Sequence, residues 1–231
     1  MSLRFCVLLV SLLHPQWAGA ASDWELKVAD SEADIQIFSR VNEQGYPEFR
    51  GVTRVQSRLS GFVALFKDLE RMPEWAFRVR KAERLKVISE TESYVHIVNS
   101  LPLPLYDRDV IVHSTITQDA RTLQLTFRGS GVADIAPRDD RYVRMPVVES
   151  SWTFTPLADG MVEVVFQGHG DPGGSLSSVF LAWFVRLSIN EAPHQTMLNM
   201  KKFLARLAPV AQDVVAADGH RAARGRDDAA D

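Results

Sequence analysis

Gly168-His169-Gly170-Asp171-Pro172-Gly173 has the spacing G-x-G-x-x-G, with which backbone amides cradle a dinucleotide phosphate, and it lies between a strand pattern and a helix pattern. The order of elements around it does not suit that chemistry. A dinucleotide unit needs a second parallel strand after the helix, with an acid near its end, and here only a polar tail follows. Pro172 also removes one of the amides that such a loop uses. No nucleotide and no other cofactor is expected.

The histidines His14, His96, His113, His169, His194 and His220 offer metal or acid-base chemistry, but none stands in H-x-x-x-H or H-E-x-x-H spacing. Glu191 and His194 share a helix face, and His96 and His113 fall on neighbouring strand patterns. A histidine satisfied within the fold is the simpler reading of each, so no metal site is expected. Nucleophilic catalysis has no G-x-S-x-G elbow, and Ser150-Ser151 beside Glu149 lacks a histidine partner. No catalytic residue is therefore assigned. A base inside a cavity carries no local motif, so His96, His113 and Asp109 define an alternative: an enzyme acting on a hydrophobic or aromatic substrate.

Two further stretches can bind rather than react. Arg71, Arg78, Arg80, Lys81, Arg84 and Lys86 surround Trp75 and Phe77, a basic rim suited to anionic lipid headgroups. Glu70, Glu74 and Glu83 interrupt it, which makes a solvated face the simpler reading. Val179 to Ile189 is apolar nearly all round a helix, yet eleven residues with Arg186 among them do not span a bilayer. Phe180, Trp183, Phe184 and Leu187 fall along one side of it, where they either pack in a core or face a ligand.

The elements that position these residues follow from periodicity. Alternation of apolar residues marks strands at 35–38, 49–55, 85–88, 94–101, 109–117, 122–129, 150–155 and 162–168. Short polar turns such as 118–121 and 158–160 make neighbours antiparallel. A helix is expected from Gly61 to Arg71, ended by Pro73, and a long closing helix from Leu176 to Leu207, kinked at Pro193. Many strands followed by one long helix make an α+β fold, a curved antiparallel sheet wrapped around the helix. The space between them is a cavity lined by inward-alternating residues. Val112 and Ser114 share one face of their strand, Phe127 one face of the next, and Arg108 is a candidate anchor for a carboxylate or phosphate if it also faces inward.

With 46% hydrophobic and 24% charged residues in 231, the chain is composed as a folded domain, and a net charge of −3 excludes a bulk nucleic-acid binder. Met1 to Arg4, the apolar run Phe5 to Leu13 and Ala18-Gly19-Ala20 read as a secretory signal peptide over 1–20. Cys6, the only cysteine, lies within it, so the mature chain has no disulfide and must rely on its core. Residues 208–231 read as a disordered tail, which leaves one domain over 22–207. An exported, periplasmic monomer is expected.

Three motifs in order resemble the START (StAR-related lipid-transfer) domain family. Leu101-Pro102-Leu103-Pro104-Leu105-Tyr106-Asp107-Arg108-Asp109 is similar to its P-x-P … R-D strand start, and Trp152-Thr153-Phe154-Thr155-Pro156 to its W-x-x-x-P strand. Asp171-Pro172-Gly173-Gly174 before Trp183 is similar to its D-P-G-G lead into the closing helix, and Trp24, Arg40, Leu69 and Glu74-Trp75 add to the likeness. The resemblance implies a helix-grip fold whose internal hydrophobic tunnel binds one lipid without chemistry; Trp75 is expected to contact that ligand, and the basic rim around it to touch a membrane surface transiently. Where sterol-binding relatives place a buried ionic pair, this chain reads Val95-His96-Ile97 and Val112-His113-Ser114.

Overall fold

The structure is a computed structural model that describes residues 23–133 and 135–207. The expected signal peptide and tail lie outside the described residues. In chain order the elements are β1 (Glu25–Asp30), β2 (Ile35–Val41), β3 (Pro47–Gln56), α1 (Leu59–Lys67), α2 (Met72–Trp75), β4 (Val79–Ser89), β5 (Glu92–Asn99) and β6 (Arg108–Gln118). They continue as β7 (Leu125–Gly131), β8 (Val143–Arg144), β9 (Val147–Pro156), β10 (Met161–Asp171) and α3 (Ser178–Arg186). A π turn (Leu187–Glu191) then joins α3 to α4, residues 192–207.

Among the described residues the strands form one ten-stranded sheet in the order β1-β2-β3-β10-β9-β7-β6-β5-β4, antiparallel except that the short β8 pairs parallel with β6. This is the helix-grip arrangement, with the sheet curved over the closing helix. Two strands had no legible pattern. β1 is mostly exposed, so nothing forces apolar alternation on it, and β8 is too short to show a period. The first helix also ends earlier than expected, at Lys67. Pro73 does not stop it but sits in the first turn of α2, where its missing N–H costs nothing.

Alternation decides which face is covered. Ile35 and Ile37 of β2, Phe154 of β9 and Val164 of β10 are fully buried, and Phe62 of α1 packs on Phe154 with ring centroids 4.3 Å apart. At the other end of the core, Met197, Met200, Phe203 and Leu204 bury one side of α4. Gly51 of β3 permits this close approach, since a Cβ there would lie 2.4 Å from the Met197 sulfur. Lys201 then pins α4, its Nζ donating to Thr53 Oγ1 (3.1 Å) and to the carbonyls of Arg54 (3.0 Å) and Ala33. A second tie joins His194 Nε2 to Asp30 at 2.8 Å.

The closing helix is one rod with a defect of known cause. Pro193 has no N–H to give the carbonyl four residues back, and the helix widens just before it, so that the Ala192 N–H bonds the Leu187 carbonyl. At the expected kink the structure has a π turn, just before Pro193.

On the outer face of the sheet a chain of charges ties β8, β6, β5 and β4 together. Arg144 of β8 holds Asp109 of β6 through Nε (3.0 Å to both oxygens) and Nη2 (2.8 Å). Asp109 is 1% exposed and also meets His96 Nε2 of β5 at 3.0 Å, while His96 Nδ1 meets Glu83 of β4 at 3.1 Å. Lys81 first and His96 second hold the Glu83 carboxyl below its usual range.

Asp109→Asn strands the Arg144 guanidinium in the protein, and urea unfolding should show a loss of about 3–5 kcal/mol. Asp109→Leu combined with Arg144→Met should recover most of it. The Asp30 carboxyl is held below its ordinary 3.8 by the Ala33 N–H and then by His194. Its contribution is therefore complete above that ordinary value and is lost as pH falls through the lower folded one. The urea midpoint should drop on acidification below about pH 4, and Asp30→Asn should remove that part of the slope.

Candidate ligand-binding site

Between the concave sheet, α1, α2 and the closing helix lies a cavity of about 500 Å³. Its aromatic wall comes from three directions. Phe66 projects from α1 and Trp75 from α2, while alternation turns Phe127, Trp152 and Phe166 inward from β7, β9 and β10. Trp152 stacks on Phe166 at 3.8 Å, Phe66 meets Phe127 at 4.5 Å, and Trp75 stands edge-on to Trp152 at 6.2 Å. Rings packed against each other in this way hold the wall open, because none can swing inward without losing its neighbour.

The aliphatic wall is built from Val95 and Ile97 of β5 and from Val110, Val112 and Ile116 of β6. Phe184, Ile189 and Ala192 of the closing helix form the roof. Polar side chains on the inner wall are few, Ser93, Asn99, Ser114, Ser150, Ser188 and Thr196, while Lys67, Arg84, Ser89, Glu90, Thr91, Glu92, Arg128, Glu149 and His169 border the cavity. Ser188 is satisfied by the Phe184 carbonyl at 2.9 Å, and Thr196 Oγ1 accepts from the Phe77 N–H at 3.2 Å, which ties the α2 loop to the roof. The indole N–H of Trp75 meets no acceptor among the described residues. An apolar chamber with scattered hydroxyls binds by shape and apolar area, and orients its occupant with few hydrogen bonds.

Of the residues expected at the site, the structure brings Trp75, Val112, Ser114, Phe127 and Phe184 to the cavity. Four lie elsewhere. Arg108 is buried at the start of β6, but its Nε donates to the Pro172 carbonyl (3.3 Å) and its Nη1 to that of Tyr106. The guanidinium thus closes the loops before β6 and α3 onto one another, and burial pushes its pKa down. Phe180 is 37% exposed in the first turn of α3, among the exposed Val179 and Leu181. Trp183 is half-buried off the wall, and Leu187 is buried but turned away. The roof is the i, i+4 stripe Phe184, Ser188, Ala192 and Thr196, and Leu187 lies beside that stripe.

The candidate bases are placed on the other side of the sheet. Val95, Ile97, Val110 and Val112 face the cavity, so His96, Asp109 and His113 between them face outward. His113 is bonded to Glu92 at 2.7 Å and packs against Tyr94. No group of three metal-ligating side chains is found among the described residues. Sequence reasoning missed Phe66, Trp152, Phe166 and Arg84 on the wall. Trp152 and Phe166 carried the right parity, but strand alternation alone does not tell a cavity wall from a filled core.

A sheet gripping a helix over an internal apolar cavity defines the helix-grip class of binding domains. Within it the chain belongs to the START domain family, whose model matches residues 11–205. A STAR-related lipid transfer protein from Xanthomonas axonopodis is similar at 30% identity with a TM-score of 0.69, over 79% of this chain and 98% of that one. Human STARD10 shares the fold at 16% identity with a TM-score of 0.69, over 84% of this chain and 78% of its own. An uncharacterized protein of Pseudomonas aeruginosa is 25% identical over 200 residues, 86% of this chain and 95% of its own.

His96→Gln and His113→Gln should leave ligand occupancy, measured by native mass spectrometry, unchanged. His96→Gln should lower stability by about 1–3 kcal/mol, the cost of leaving a buried carboxylate short of a donor.

Proposed function

We propose that the domain binds one lipid or other hydrophobic ligand in this cavity and carries it without chemical change. The observation that carries the reading is the aromatic and aliphatic chamber of about 500 Å³ under the closing helix. Membership of the START family and the likeness to a STAR-related lipid transfer protein support it. The outward placement of His96, Asp109 and His113, each already bonded to a neighbour, favours binding over catalysis.

Energetics suit a carrier. Burying an acyl chain of about fifteen methylenes gains roughly 12 kcal/mol against water, and close to nothing against a bilayer that buries the same chain. The ligand therefore stays bound in solution and exchanges at a membrane surface. Leu103 (94% exposed), Tyr106, Val179 and Leu181 expose apolar side chains on the two segments that Arg108 joins, and supply the transient membrane contact. The amino-terminal pattern over 1–20 supports export to a periplasm, where such a monomeric carrier works between membranes.

Native mass spectrometry of the full chain, expressed with its own amino terminus and purified without detergent, should show one lipid per chain. Protein that remains empty after incubation with mixed lipids sinks the proposal. Val112→Trp fills the chamber and should cut occupancy about tenfold, some 1.4 kcal/mol, with the fold retained by circular dichroism. Leu103→Glu with Val179→Glu should slow transfer between vesicles and leave occupancy as it was.

A further inference from the structure

The cavity has one end open to water, between the end of α1 and the β4–β5 hairpin, bordered by Lys67, Arg84, Val87 and the turn at Glu90 and Thr91, all exposed. Arg84 pairs with Val95 across β4 and β5, and Val95 is a wall residue, so Arg84 shares the inward face. Its neighbour Glu83 pairs with His96 and faces outward. The other ionisable strand residues at the border, Glu92, Arg128, Glu149 and His169, alternate outward; Glu92 is bonded there to His113, and His169 pairs with Glu149 and stacks on Tyr46. Arg84 is thus the one ionised strand side chain turned onto the wall among the described residues. Its hydrogen bond runs from Nη2 to the Lys67 carbonyl at 3.3 Å, and no acid pairs with it there.

The aromatic wall is different in kind. Phe66, Trp75, Phe127, Trp152, Phe166 and Phe184 carry no charge, and the hydroxyls among them are neutral. Size narrows the occupant further. At roughly 30 Å³ for each water-sized group, 500 Å³ takes about seventeen such groups. That is one acyl chain of about fourteen to sixteen carbons with its head, and about a third of the roughly fifty such groups in a two-chain phospholipid.

Building on the carrier reading above, we propose that the ligand is a single-chain amphiphile with an anionic head, held by Arg84 at this opening, with its chain lying along the aromatic wall. A carboxylate is the simplest such head, since a guanidinium meets it with two parallel N–H donors. The opening is wet, so the charge pair adds modest affinity and mainly fixes which end of the ligand points outward.

The test compares tetradecanoate with tetradecan-1-ol, equal in length and different in head charge, each delivered from cyclodextrin and measured by calorimetry on the full chain. Wild type should bind the acid about three- to fivefold more tightly, the size of one exposed charge pair. Arg84→Gln should abolish that preference and leave the alcohol within about twofold, while Arg84→Lys keeps part of it. Equal binding of the two by wild type, or a preference that survives Arg84→Gln, overturns the assignment. One dipalmitoylphosphatidylcholine bound per chain overturns the single-chain reading and leaves the carrier standing. Failure of all three probes and of extracted lipid overturns both.

Discussion

The sheet's inner face has to be covered, and the closing helix covers only part of it by contact. Met197, Met200 and Phe203 pack at its carboxyl-terminal half, and Lys201 is spent on backbone carbonyls of the amino-terminal hairpins. The other half spans an aromatic chamber without filling it. Everything the domain can bind depends on that division, in which one half of a single helix is anchored and the other half is a roof. Pro193 and its π turn mark the boundary.

A chamber of this size is empty volume that the rest of the structure must offset, because cavity walls lose contacts that a filled core would have. The outer face supplies part of the compensation. Arg144, Asp109, His96 and Glu83 run across β8, β6, β5 and β4, so the strands bordering the cavity are held from behind. A buried ion pair is a poor source of net stability. It is a good source of register, since a slip of one residue would turn Asp109 into the chamber and Val110 into the charge network.

The fold was legible because sheet and helix each show a period, and Val112, Ser114 and Phe127 follow from parity alone. Three site details were not, each for a local reason. Arg108 has inward parity, but it sits at a strand start and is captured by the Pro172 carbonyl, sixty-four residues away. Leu187 was grouped with Phe184 on one side of the helix, whereas the lining follows the i, i+4 stripe through Ser188 and Ala192 and leaves Leu187 packed beside it. Arg84 reaches the wall on a strand whose pairing shifts register on both sides of it, so no simple alternation along β4 could assign it.

Selectivity is the remaining step, and it follows from what the wall lacks. Apolar burial rewards every lipid chain of fitting length alike, and a bilayer offers nearly the same reward, so affinity for the chain cannot choose the ligand. Choice needs a polar group, and a charged one deep in this chamber would cost several kcal/mol whenever the ligand was absent. A cation at the water-filled opening avoids that cost. Arg84 stays hydrated in the empty protein, whereas Arg108, the other inward cation near the chamber, is bound to carbonyls and removed from it. A domain built in this way reads the head of its ligand at the rim and its length in the interior.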